Sequence, residues 1–395
     1  MSRRRRALAA IVGIAAATAA LTLVPMRFPG GEPTGVVRLG LPSTADLLRN
    51  LALFAPLGAA LALGGLRLRG ALAAALAFAS ALELAQLFVA GRYAAPSDVA
   101  ANGLGAALGA WAAGALARLG PAASLARAGM LGALGAGCTL LATALLAAPT
   151  LPEGRYFAHW VPALAHFAPY SGRLERATLD GRSLAHGPLP DSAGVRGQLA
   201  QPYRLSLRLV PAEPPAALAA LFMLSDDRDR EVLLVGLERD DVVLHFRDRA
   251  TALGLETLAL SADRALAEAR PGVPIELEIA RAGERATLRL GRGPPVTLGN
   301  TLGRGWALVA PSLPRSAAGR AALDAAWTAA LWLLPGLGLA GALRARFSAA
   351  GLALLMATLP ALSPLLPTPA SEWLAAAAGL ATGWALGRRL RQGSS

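Results

Sequence analysis

Asp46-Leu47-Leu48-Arg49-Asn50-Leu51-Ala52-Leu53-Phe54-Ala55-Pro56-Leu57-Gly58 decides how this chain folds, because it sets ionisable groups at the head of a run apolar enough to enter a bilayer. Asp46 and Asn50 are four residues apart, so one helix face carries both, with Arg49 adjacent. Such groups are costly in hydrocarbon, and a convergent set of them marks a site by default. Outward from this stretch, apolar runs recur at 7–25, 71–90, 99–117 and 128–148, and again at 321–343, 348–366 and 372–387. A crossing of the ~30 Å core takes about 20 residues. The pattern therefore predicts a multi-pass α-helical membrane protein of about eight transmembrane helices. A hydrophobic fraction of 54% and a mean hydropathy of +0.47 agree.

The neighbouring spans repeat the polar signature. The third carries Glu83-x-x-Gln86 on one face and exits near Ala90, followed by Arg92; the fourth enters with Asp98-x-x-x-Asn102. At ~1.5 Å per residue, Glu83 is read as about two turns inside the bilayer, and Asn50 and Asn102 about one turn. Short connections favour antiparallel neighbours. Asp46, Arg49, Asn50, Glu83, Gln86, Arg92, Asp98 and Asn102 are therefore the candidate binding residues. A plainer reading stands beside this one. Asp46 and Asp98 serve as helix caps, the asparagines as interhelical hydrogen bonds, and Gly103, Gly105 and Gly109 as a close-packing face. That reading leaves Glu83 unexplained.

The ordered set Asp46-x-x-x-Asn50, Phe54-x-Pro56-x-Gly58, Glu83-x-x-Gln86, Arg92 and Asp98-x-x-x-Asn102-x-x-Gly105 resembles the VanZ-like membrane domain over residues 36–120. The resemblance implies a multi-pass envelope protein associated with teicoplanin resistance. It implies no catalytic mechanism.

The net charge of +13 and pI near 11.4 invite a nucleic-acid reading, which the positions of the charges remove. All 38 basic residues are arginine. Thirteen lie in short segments read as cytoplasmic: Arg3 to Arg6, Arg67, Arg69, Arg118, Arg127, Arg344, Arg346, Arg388, Arg389 and Arg391. The others equal the 25 acidic residues in number. The excess is thus the positive-inside signal of a bacterial inner-membrane protein with both termini cytoplasmic and residues 149–320 periplasmic. An uncleaved N-terminal anchor is expected, since no small-residue cleavage site precedes Pro25. The single Cys138 excludes an intrachain disulfide.

Between the helical groups the period changes to two, as in Tyr203-Arg204-Leu205-Ser206-Leu207-Arg208-Leu209 and Ala286-Thr287-Leu288-Arg289-Leu290. This predicts an inserted all-β sandwich over 171–312, after an N-terminal membrane domain (1–148) and a linker (149–170), and before a C-terminal membrane domain (313–395). Its turn pattern resembles a concanavalin A-like, laminin G-like jelly roll. Asp226, Asp227 and Asp229 are weak calcium candidates, read instead as a turn neutralised by interleaved arginines. His159, His166, His186 and His245 show no metal-ligand spacing. In the last span, Ser371-Glu372 and Gly379-x-x-x-Gly383 faintly repeat Ser97-Asp98 and Gly105-x-x-x-Gly109.

Nucleophile–base pairs, phosphate loops and zinc motifs are not found, so the reading leans away from an enzyme without deciding the question, and no cofactor is expected. The expected partners are the bilayer and an envelope glycan or lipid-linked ligand, handled at the outer leaflet. The alternatives are a membrane-tethered glycan-binding scaffold and a proton-coupled transporter. Oligomeric state is not readable.

Overall fold

The computed structural model describes residues 3–23, 36–89, 92–164, 167–282, 285–310, 316–341 and 345–392. Pro25, the Ala90–Gly91 exit, His166 and Arg344 lie outside the described residues. Five helices open the chain: α1 (Arg3–Leu23), α2 (Thr44–Leu63), α3 (Leu68–Gln86), α4 (Pro96–Ala117) and α5 (Pro121–Leu146). Three close it: α8 (Ala317–Leu339), α9 (Ala345–Leu362) and α10 (Ala370–Gln392). Six of these eight, α2 to α5, α8 and α9, are long and apolar enough to cross a membrane. The apolar part of α1, Ala7–Leu23, is shorter, and α10 is charged at both ends by Glu372 and by Arg388, Arg389 and Arg391. Leucines such as Leu84, Leu134 and Leu354 are more than half exposed on their helices, as lipid contact requires.

The chain divides into two units, Met1–Leu131 with Leu334–Arg346 and Thr382–Ser395, and Gly132–Leu333 with Phe347–Ala381. Among the described residues, the second unit holds twelve strands in two six-stranded antiparallel sheets. The first sheet runs in the order β4 (Gly187–Pro188), β1 (Tyr156–Trp160), β6 (Ala219–Asp226), β7 (Glu231–Glu238), β8 (Asp241–Phe246), β9 (Leu260–Ala262). The second runs β12 (Val296–Leu298), β11 (Arg285–Leu290), β10 (Ile275–Ala282), β5 (Tyr203–Val210), β2 (Arg173–Leu179), β3 (Arg182–Ser183). Short helices α6 (Ser192–Leu199) and α7 (Arg249–Ala252) join strands. Leu205, Leu207, Leu277 and Ile279 of the second sheet meet Phe222, Leu224, Leu233 and Val235 of the first in one core.

The sheet domain starts earlier than the sequence suggested. The stretch 149–170, read as a linker, contains β1, which pairs with β6 from Tyr156↔Asp226 to Trp160↔Phe222. Alternation survives in β5, β10 and β11 because their outer face is solvated and laced with ion pairs such as Arg176–Glu276 and Arg289–Glu278. It fails in β6 and β7, whose outer side is also covered. Leu164, Phe167 and Leu218 pack there on Ala220, Met223 and Leu234. The β2–β3 turn is Asp180-Gly181, both at positive φ, the arrangement a two-residue hairpin loop favours.

Candidate functional site

Backbone pairing brings the starts of α2 and α4 level. Residues 36–38, leading into α2, form a parallel bridge with Ala94: Arg38 N–H donates to Ala94 O at 2.9 Å, and Ala94 N–H to Val36 O at 3.2 Å. The Arg38 side chain donates to the Tyr93 hydroxyl at 3.1 Å and lies over its ring. Ser43 caps α2, accepting from Asp46 N–H at 3.0 Å, while its hydroxyl donates to Asp46 Oδ2 at 2.8 Å. Further in, glycines set the spacing. A Cβ on Gly105 or Gly109 would collide with the backbone of Leu51 or Ala55, and one on Gly58 with Ala106. The Leu51 and Ala55 contacts advance together, so α2 and α4 run parallel along a small-residue seam. Gly103 faces α3 instead, at Leu76.

At the head of this seam most of the expected residues meet. Asp46 Oδ1 pairs with Arg49 at 3.2 Å. Asp98 accepts a hydrogen bond from Asn50 and lies within electrostatic reach of Asp46, Arg49 and Arg92. Glu83 in turn senses Asp98 and Arg92. An Arg92 guanidinium N–H donates to Thr22 O of α1 at 2.7 Å. Asn102 is 2% exposed one turn beyond Asp98, and Gln86 is buried one turn beyond Glu83. Among the described residues, Arg92 Nε and Asn102 Oδ1 are buried without a hydrogen-bond partner. Asp46, Glu83 and Asp98 outnumber Arg49 and Arg92 by one formal charge.

Helix α3 ends at Gln86 in a turn, so Glu83 lies in its last turn. Its carboxylate Oε2 accepts the Ala95 N–H at 2.8 Å, at the N-cap of α4, where Ala95 has no side-chain acceptor of its own. Glu83 therefore has a bracing role that the sequence did not disclose.

Of a second acidic pair, sequence reasoning singled out Glu372 and missed Asp324. Asp324 on α8 is 7% exposed and accepts from Arg304 Nε and from Trp306 Nε1 at 2.7 Å. Glu372 on α10 is 2% exposed and accepts from the Thr301 hydroxyl and from Gly303 N–H at 3.0 Å. These donors belong to the lead-in to, and body of, a 3-10 helix, Leu302–Leu308. The available signal was Asp324 itself, a lone acid in an apolar helix.

In the sheet domain, Asp226 is consumed by its own turn. It accepts from Arg228 N–H, Arg230 N–H and the Arg230 guanidinium at 2.6 Å. Burial alone would raise its pKa, but those hydrogen bonds outweigh it and hold the carboxyl below the usual range. No group of three His, Cys, Asp or Glu among the described residues is placed to hold a metal. His159 bonds Ser225 at 2.9 Å, and His245 bonds Glu231 at 3.1 Å.

Helices able to cross a bilayer, buried charge at their ends and a large two-sheet insertion define a polytopic membrane protein with an extramembranous domain. Residues 7–117 match the VanZ/LLP1 family model, so α1 to α4 form a VanZ-like domain. The match begins earlier than the expected residue 36 and takes in α1, whose Thr22 carbonyl holds Arg92. No curated protein and no solved structure matches the chain.

Proposed function

We propose that the VanZ-like domain recognises or handles an amphiphilic envelope component, a lipid-linked glycan or a peptidoglycan-related molecule, at the outer leaflet of the bacterial inner membrane. The binding residues are Asp46, Arg49, Asn50, Glu83, Gln86, Arg92, Asp98 and Asn102. The observation that carries this reading is the buried, unpaired donor and acceptor, Arg92 Nε and Asn102 Oδ1. Leaving such a group unpaired costs about 1–3 kcal/mol, which a hydroxyl-bearing ligand offsets. In this reading α1 and α10 complete eight crossings, both termini are cytoplasmic, and the sheet domain is a periplasmic jelly roll, in keeping with the arginine distribution. The test is glycopeptide susceptibility in a strain whose chromosomal copy carries Asn102→Ala or Arg92→Gln. Loss of the phenotype at normal membrane levels is expected, and full activity in both variants refutes the reading.

A second reading makes the sheet domain the active part, as a membrane-tethered glycan-binding scaffold. It rests on a cleft of about 1410 Å³ on the outer side of the second sheet, lined by Asp180, Arg204, Arg281, Thr287 and Ser363 among others. Saturable glycan binding by the full chain, lost on Thr287→Trp but kept on Asn102→Ala, favours the scaffold.

A further inference from the structure

A single row of side chains crosses the outer face of the second sheet. Arg204 pairs with Ala280, Ala280 with Thr287, and Thr287 with Thr297, so β5, β10, β11 and β12 each contribute one member. Their chain neighbours Leu205, Ile279, Leu288 and Leu298 are buried in the core, which turns the row itself outward. Ala280 is the smallest of the four and leaves room between Arg204 and Thr287. The cleft of about 1410 Å³ lies over this row, and its other wall is the turn after α9, with Pro360, Ser363 and Leu365. That turn is fastened to the sheet. Leu366 N–H donates to Asn300 O at 2.8 Å, just beyond β12, and Leu365 is 2% exposed. Every residue of the lining belongs to the second unit.

The charge of the lining is one-sided: Arg204, Arg281 and Arg285 against Asp180. Asp180 is already engaged, since its carboxylate accepts the Arg204 backbone N–H at 2.8 Å. Arg204 Nε meets Glu278 at 3.1 Å, but Glu278 lies outside the lining and is shared with Arg289, so the surplus stays positive. Arg281 is held in place, with its guanidinium 4.3 Å from the Phe246 ring centroid and donating to the Tyr203 hydroxyl. A guanidinium fixed in this way meets an anion with little further loss of freedom. Hydroxyls of Thr287, Thr297 and Ser363 stand beside these cations, and Ser363 Oγ is buried without a hydrogen-bond partner among the described residues. Guanidinium and hydroxyl donors together suit a phosphorylated sugar. The volume exceeds the ~300–1,000 Å³ of most small-molecule sites, which leaves space for sugar beside the phosphate. Helix α9 is long and apolar enough to cross a membrane, and its last residue, Leu362, is 82% exposed between two residues of the cleft wall. Deepening the reading in which the sheet domain binds glycan, we propose that the cleft holds the phosphate-bearing glycan headgroup of a membrane amphiphile whose tail runs along α9. A neutral glycan would leave the arginine surplus unmatched.

The test uses the full chain in phosphatidylcholine nanodiscs and three radiolabelled probes: a phosphodiester joining glucose to a dodecyl chain, neutral dodecyl glucoside, and glucose 1-phosphate, which has no tail. The phosphodiester is expected to bind saturably, and the other two at least about tenfold more weakly. Arg204→Gln and Arg285→Gln, on separate strands, should each weaken the phosphodiester at least about tenfold, the loss of one charge-assisted hydrogen bond, and leave the glucoside unmoved. Arg176→Gln, on the same sheet face but outside the cleft, should change neither. Glucoside binding equal to that of the phosphodiester, indifferent to both arginines yet lost on Thr287→Trp, overturns the phosphate and keeps the glycan reading. Glucose 1-phosphate binding as tightly as the phosphodiester overturns the membrane source. No saturable binding, or binding untouched by Thr287→Trp, removes the cleft as a site and that reading with it.

Discussion

Glu83 stands at the last turn of one helix and supplies the acceptor that the start of the next one lacks. Glu83→Leu should therefore cost about 2 kcal/mol by stranding the Ala95 N–H, whereas Glu83→Gln keeps an acceptor and most of the stability. Thermal unfolding in detergent separates the two. Asp226 gives a pH-dependent counterpart in the sheet domain. Its folded pKa is lowered, so its stabilisation is present above the unfolded value of about 3.9 and is lost as pH falls through the folded one. Asp226→Asn should lower stability at pH 7 by about 2 kcal/mol and flatten its decline below pH 4. The sequence made the polar residues at the head of the α2–α4 seam legible because charge in an apolar run demands a reason. It hid the partner of Glu83, since that partner is a backbone N–H twelve residues away and carries no side-chain signature.

The seam between α2 and α4 explains why small residues recur there. Gly109→Ile drives a branched side chain into the Ala55 backbone and should destabilise the bundle strongly. Gly114→Ala, on the same helix with nothing within 4 Å of its added Cβ, should be neutral or slightly stabilising. The same thermal melts report both, and equal effects would mean that the seam carries no packing. Alternation was legible where one face meets water, as in β5 and β11. It was absent where both faces are covered, as in β6 and β7, and around the short run of β1. Helix existence was readable from hydropathy, but α1 and α10 show its limit: charges at a terminus shorten the apolar stretch without ending the helix.

At the scale of the molecule, the second unit ties its sheets to its helices through a few buried acceptors. Asp324→Ala removes the acceptor shared by Arg304 and Trp306 Nε1 and leaves a partly buried cation behind. A loss of about 3–5 kcal/mol is expected, the range for breaking a buried pair. Hydrogen exchange across residues 301–308 should rise while β5 and β10 stay protected. Unchanged exchange there would show that the 3-10 segment is held by packing alone. This attachment was not legible in the sequence because Thr301, Arg304 and Trp306 look like an ordinary loop until Asp324 and Glu372 are placed beside them.

Cys138 is the chain's single thiol and is exposed on α5, among residues that face outward from that helix. It makes the protein a self-labelled reporter of its own immersion. In membranes neither a permeant nor a sulfonated, impermeant maleimide should modify it, because hydrocarbon shields the flank and disfavours the thiolate that attacks the reagent, whereas both should once detergent denaturation admits water. The two reagents together locate the middle of α5 against the bilayer without any engineered residue.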